Sequence, residues 1–148
     1  MTPMTDRTLT GEVPAHLLIG IDHVGIAVAD LDEALATYQR LFGARVELRG
    51  RMDDQGVEAA YLRIGDGRVE LVSALGEDTP VGRFLAKRGP GMHHVAYQVA
   101  DVAAALRSLR AEGVEVIDPE PRPGLGGHEV SFVHPDSVHG VLVEVISG

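Results

Sequence analysis

Two stretches of this chain carry the same order of apolar and polar positions. Residues 21–46 read IDHVGIAVADLDEALATYQRLFGARV, and residues 92–116 read MHHVAYQVADVAAALRSLRAEGVEV. Alternation at the head of each stretch predicts a strand with two unlike faces. Val24, Ile26 and Val28 share one face of the first, and His23, Gly25 and Ala27 the other. In the second, Val95, Tyr97 and Val99 oppose His94, Ala96 and Gln98. The bulky face suits packing beneath a helix. The small or polar face suits a cavity lining, and each histidine stands at the head of it.

The period then changes from two to that of a helix. Asp30 is a helix cap with Glu33 three residues on, and Leu31, Ala34, Leu35, Tyr38, Leu41 and Phe42 form the apolar stripe that follows. Gly43 stops that helix. Strands are expected at about Arg45–Arg51, Ala59–Ile64 and Arg68–Ala74, the last two joined by Gly65-Asp66-Gly67. A short helix follows, with Thr79 as cap, Pro80 at its first position and Gly89 as its stop. The second copy repeats the order: strand Met92–Val99, a helix capped by Asp101 with Val102, Ala105, Leu106 and Leu109 on one face, Gly113 as its end, then strands at Glu115–Ile117, His128–His134 and Gly140–Ile146. The Pro- and Gly-rich stretch Pro119–Gly127 reads as a long loop, a rim or lid.

The expected fold class is therefore α+β, as two tandem βαβββ modules. Their equivalent positions lie 71 residues apart for His23 and His94, Asp30 and Asp101, and Leu35 and Leu106. Residues 17–148 are read as one domain, with module one at about 18–75, a linking helix at about 79–89 and module two at about 91–147. Residues 1–16, MTPMTDRTLTGEVPAH, are read as a flexible tail without the layout of a signal peptide, which makes the cytoplasm the default location.

A formal net charge of −9 argues against nucleic acid and against an anionic membrane surface, since both call for clustered cations. It leaves room for a small anionic substrate held by a few local Lys or Arg. The chain has no cysteine, so any metal site would use imidazole and oxygen ligands.

Glu70 in RVELVSA and Glu144 in VLVEVIS sit on the last strand of each module, 74 residues apart, each between apolar neighbours. An unpaired carboxylate in such a strand is strongly disfavoured, and a cation would remove the penalty. A lone histidine at a strand start reads as an ordinary surface or hydrogen-bonded residue. Four ligand types at matching places in two copies read differently: His23, Glu70, His94 and Glu144 form a candidate metal site on the pseudo-twofold axis, with positions open to oxygen ligands. His93 is the competing member of its pair, and its register places it on the core side or exposed at the strand end. His128, His134 and His139 read as rim or structural residues, and Asp53, Asp54 and Glu58 as a solvated hairpin face.

These modules resemble the vicinal-oxygen-chelate superfamily, which includes glyoxalase I, extradiol dioxygenases, antibiotic-resistance proteins and methylmalonyl-CoA epimerases. The phrases IDHVGIAVADLDEAL, DQGVEAAYLRIGDGRVELV, TPVGRFLAKRGPGMHHVAYQV and EPRPGLGGHEVSFVHPDSVHG resemble the epimerase branch most, over about residues 20–147. The resemblance implies a cup-shaped mixed sheet around a metal site. It also implies interconversion of (2R)- and (2S)-methylmalonyl-CoA through an enolate steadied by a divalent ion. By resemblance, His23, Glu70, His94 and Glu144 hold that ion, whether cobalt, manganese, nickel, zinc or iron, and Glu144 is the first acid/base. Glu58 is the candidate for the second, although the ungapped register puts Ala59 at the family position. Lys87 and Arg122 are candidates for the CoA phosphates by charge alone. A homodimer is expected from the family and from the frequency of twofold assemblies. The competing readings are another enzyme on the same scaffold, such as a glyoxalase-type isomerase or lyase, and a metal-free binding protein.

Overall fold

The computed structural model describes residues 17–148, so the expected tail at 1–16 lies outside the described residues. The elements in chain order are β1 (Leu18–Ala27), α1 (Leu31–Phe42), β2 (Arg45–Met52), β3 (Val57–Ile64), β4 (Gly67–Ala74), α2 (Pro80–Arg88), β5 (Gly91–Val99), α3 (Val102–Ala111), β6 (Arg122–Pro123), β7 (Glu129–Val133) and β8 (Val143–Ser147). All eight strands join one mixed sheet in the order β2-β3-β4-β1-β5-β8-β7-β6, which curls into a cup. The order reads alike from both ends. Within each module the first strand pairs in parallel with the last, β1 with β4 and β5 with β8. The two first strands pair antiparallel at the centre and make the seam.

Local chemistry sets the helix positions. Asp30 accepts from the Glu33 backbone N–H at 3.0 Å, and Gly43 closes α1 at φ 63°, a conformation glycine adopts without a Cβ penalty. Asp101 caps α3 through the Ala104 N–H at 3.1 Å, and Thr79 caps α2 through the Gly82 N–H at 3.0 Å. Leu31 and Leu35 of α1 pack on Ala60, Leu62 and Leu71. Val102, Ala105 and Leu106 of α3 pack on Val99 and Val145. These two layers lie on the bulky faces of the central strands. Each fully buried Leu contributes on the order of 1.5–3 kcal/mol. On the other face, Val81 of α2 packs with Ala27, Val57, Ala59, Tyr61 and Val72.

Three sequence expectations are corrected. The α1 stripe ends early, because Leu41 and Phe42 are 56% and 69% exposed, with Phe42 stacked edgewise on Tyr38 beyond the sheet. Glu115–Ile117 forms no strand. Val116 makes a single bridge to Val133, and the module's second strand is the two-residue β6 further along. Pro119 and Pro121 have no N–H to give to a ladder, which breaks the pairing between these points. The final strand begins at Val143 rather than Gly140, because His139 and Gly140 hold positive φ of 65° and 91° in the preceding turn.

Candidate metal centre

The seam brings the four expected ligands to one point. In register, Gly25 of β1 lies between Glu70 of β4 and His94 of β5. Ala96 of β5 lies between His23 of β1 and Glu144 of β8. The smallest residue in each row leaves room for the imidazole that crosses above it. A Cβ added at Gly25 would come within 2.0 Å of His94 Cε1.

His23 Nε2 and His94 Nε2 are 3.1 Å apart. Glu144 Oε1 lies 3.0 Å from His23 Nε2 and 3.7 Å from His94 Nε2. Glu70 Oε1 lies 3.5 Å and 3.1 Å from the same two atoms. The arrangement is crosswise: each carboxylate sits nearer one histidine, and the assignments reverse between modules. All four residues are at most 8% exposed.

A second set of contacts fixes the rings. His23 Nδ1 donates to Asp22 Oδ2 at 2.7 Å. Arg68 donates to the same oxygen at 2.5 Å, with its guanidinium 3.8 Å from the centre of the Tyr61 ring. In the other module, His94 Nδ1 lies 2.9 Å from His93 Nδ1. Asp22 and His93 are the equivalent residues of the two copies, each just before its ligand. Neighbours on a regular strand point to opposite faces, so a break in register is needed. The pairing supplies one at each place. Between Ile21/Tyr97 and His23/Ala96 the extra residue is Asp22, and between Gly25/His94 and Ile26/Met92 it is His93.

The charges follow from these contacts. Burial works against a proton on His23, but Asp22, Glu144 and Glu70 outweigh it and push its pKa up to about 11. Burial opposes ionisation of Glu70, yet His23 and His94 hold its carboxyl below the usual range. Asp22 is also lowered, because its bonds to His23 and Arg68 overcome partial burial. Burial, with the nearby His94, pushes His93 down to about 4, so it stands neutral. Tyr61 is raised by burial and by Glu70 and Glu144, and keeps its proton.

The cluster has the chemistry of a cation site. Two imidazole nitrogens and two carboxylate oxygens are a donor set for borderline divalent ions. Asp22 commits His23 Nδ1 as the donor and leaves Nε2 to coordinate. Glu144 Oε1 is buried and accepts no hydrogen bond of acceptable geometry despite its closeness to His23. Such an atom calls for a positive partner.

Around the cluster lies a chamber of about 40 Å³ whose apolar wall includes Val57, Ala59, Leu125, Val130 and Phe132. Glu58 is not part of it. On β3 the side chains facing inward are Val57, Ala59 and Tyr61, and Glu58 turns outward to Arg49 Nε at 3.2 Å. His134 accepts from the Asp136 N–H and caps a turn, and His139 is exposed. Asp53 and Asp54 pair with Arg51 and Arg122 on the surface. The stretch read as a lid carries β6 and places Leu125 over the chamber. Asp22, Arg68 and Tyr61 escaped the sequence reading, although the Asp22–His93 equivalence was already present in the repeat.

Fold and site together define a scaffold of duplicated βαβββ modules around a buried His/Glu cluster, and the chain belongs to the glyoxalase/bleomycin resistance protein/dioxygenase superfamily, whose family model matches residues 22–132. It is 36% identical over 137 residues to the mitochondrial methylmalonyl-CoA epimerase of Dictyostelium discoideum, covering 91% of this chain and 82% of that protein. It is 38% identical over 127 residues to an ethylmalonyl-CoA/methylmalonyl-CoA epimerase of Cereibacter sphaeroides, covering 84% and 95% of the two. A solved methylmalonyl-CoA epimerase in complex with methylmalonyl-CoA and NH4+ superposes with a TM-score of 0.88 at 39% identity, over 89% of this chain and 96% of that one.

Proposed function

We propose that this protein is an isomerase that interconverts (2R)- and (2S)-methylmalonyl-CoA by removing and returning the α-proton. The observation that carries the reading is the buried convergence of His23, Glu70, His94 and Glu144 in a chain that follows a methylmalonyl-CoA-bound epimerase almost end to end. These four residues would hold a divalent ion. That ion, when bound, supplies positive charge against the negative charge that develops on the acyl group as the proton leaves.

The protein's own residues do the rest. Glu144 is the first acid/base, because its Oε1 has no hydrogen bond to surrender and its carboxylate faces the chamber. Epimerisation needs a second group on the other side of the planar carbanion. Glu58 points to solvent, so it is not that group. Glu70 occupies the symmetry-related place beside His94 and is assigned the second role. Asp22 and His93 orient the two imidazoles. Val130, Phe132 and Leu125 keep bulk water off the carbanion, so that the carboxylates carry the proton to and from carbon and exchange it with solvent between turnovers. The reading includes a cytoplasmic homodimer. Leu18, Ile19 and Ile21, all exposed at the start of β1, are apolar surface that a second copy could cover. Sedimentation velocity measures that assembly.

Exchange of the α-hydrogen of methylmalonyl-CoA in D2O tests the function. The metal-loaded protein is expected to incorporate deuterium, and excess chelator to stop it. No incorporation by metal-loaded protein would remove the reading.

A further inference from the structure

The chamber wall carries a phenol that the two proton transfers do not use. Tyr61 is 2% exposed, lines the chamber and stands opposite Glu70 in the pairing of β3 with β4. Its ring meets the His23 ring edge-on, with the two centres 5.1 Å apart. The Arg68 guanidinium lies over its face, 3.8 Å from the ring centre. The phenol is therefore clamped between a ligand imidazole and a buried cation.

The other polar side chains of the wall are committed. Glu70, His94 and Glu144 belong to the cluster. His93 Nδ1 lies 2.9 Å from His94 Nδ1, and Gln55 Nε2 donates to the Pro123 carbonyl at 3.4 Å. The Tyr61 hydroxyl donates to none of the described residues, and it is not sealed in as Glu144 Oε1 is. A buried phenol ordinarily finds an acceptor, so this one is free for a ligand. It is protonated at neutral pH and offers one O–H. A cation over the ring draws electron density from it and makes that O–H a stronger donor.

Resting on the epimerase reading, we infer that Tyr61 is a further catalytic residue, whose O–H donates a hydrogen bond to an oxygen of the acyl head and tightens it as the α-proton leaves. The charge left behind spreads from carbon onto the acyl oxygens. A donor already fixed by His23 and Arg68 meets that charge without reorganising. No proton changes owner at Tyr61, and Glu70 and Glu144 keep the two transfers.

Tyr61→Phe tests this, because it keeps the ring against His23 and Arg68 and removes only the hydroxyl. Its kcat on methylmalonyl-CoA is expected to fall about 10–100-fold with little change in KM, while metal affinity by chelator competition stays that of the wild type. A second readout needs no turnover. The chain has three tyrosines and no tryptophan, so its tyrosine absorption is not masked. Methylmalonyl-CoA is expected to shift that band to the red in the wild type and to lose most of the shift in Tyr61→Phe. A wild-type kcat in the variant overturns the assignment and leaves the epimerase reading intact. Loss of metal affinity in the variant also overturns it, since Tyr61 would then act only as packing for His23. Wild-type protein that does not process methylmalonyl-CoA removes the epimerase reading and the role of Tyr61 with it.

Discussion

His23 Nδ1 lies 2.7 Å from Asp22 Oδ2, so the protein decides which nitrogen of this ring faces the cluster. A carboxylate on the far nitrogen fixes the tautomer and raises the basicity of the near one. Replacement of Asp22 by Asn offers an amide N–H that favours the opposite tautomer. Metal affinity of Asp22→Asn is expected to fall roughly 10–100-fold, as for other partners of ligand imidazoles. Competition against a chromophoric chelator measures this, and unchanged affinity in a folded variant would show that Asp22 does not position His23.

Gly25 is required by the ring that crosses it. An added Cβ would stand 2.0 Å from His94 Cε1 and 2.4 Å from its Nε2. The β1 backbone has partners on both sides and cannot retreat, so the imidazole must move. Gly25→Ala is expected to lose bound metal while its far-ultraviolet circular dichroism stays that of a folded chain, with overpacking of about 1–3 kcal/mol lowering its melting temperature. Metal content after dialysis against the ion reads the result.

Glu70 and Glu144 are related by the repeat, yet a two-base epimerisation gives them opposite tasks. Loss of one should uncouple deuterium wash-in from change of configuration. In Glu70→Gln, the epimer deprotonated by Glu144 is expected to keep more of its wash-in than of its epimerisation. In Glu144→Gln, wash-in from that epimer is expected to fall about 10²–10⁴-fold. Chiral analysis and mass spectrometry of the same samples give both rates. Equal loss of both rates in Glu70→Gln would assign the second acid/base elsewhere.

The proton on His23 ties ion binding to pH. Its pKa in the metal-free protein is pushed up to about 11, so at neutral pH Nε2 carries a proton that a metal ion must displace. Roughly one proton is expected to be released per ion, and apparent affinity to rise about tenfold per pH unit through the neutral range. Calorimetry in two buffers of different ionisation enthalpy counts the protons, and no buffer dependence would contradict the account. Without metal the sign for stability is the reverse. A raised pKa contributes stability that is full below the ordinary value of 6.5 and is lost as pH rises through about 11.

The repeat made much of this legible beforehand. The caps at Asp30 and Asp101, the split faces of β1 and β5 and the convergence of His23, Glu70, His94 and Glu144 all follow from spacing that the sequence displays. Where the reading failed, a non-local or irregular feature intervened. Strict alternation could not place Asp22 beside His23, because the contact depends on an extra residue in a pairing that sequence alone does not locate. Arg68 reaches Asp22 only because β4 lies parallel to β1. The expected strand at Glu115–Ile117 gave way to prolines downstream of it. Glu58, by contrast, followed alternation faithfully and for that reason left the chamber to Ala59.

Anomalous diffraction from crystals of the metal-loaded protein, recorded at the absorption edge of the bound ion, locates that ion among these side chains. One peak per chain is expected, bounded by His23 Nε2, His94 Nε2 and the carboxylates of Glu70 and Glu144. A peak elsewhere, or none in protein that is active on methylmalonyl-CoA, would contradict this placement.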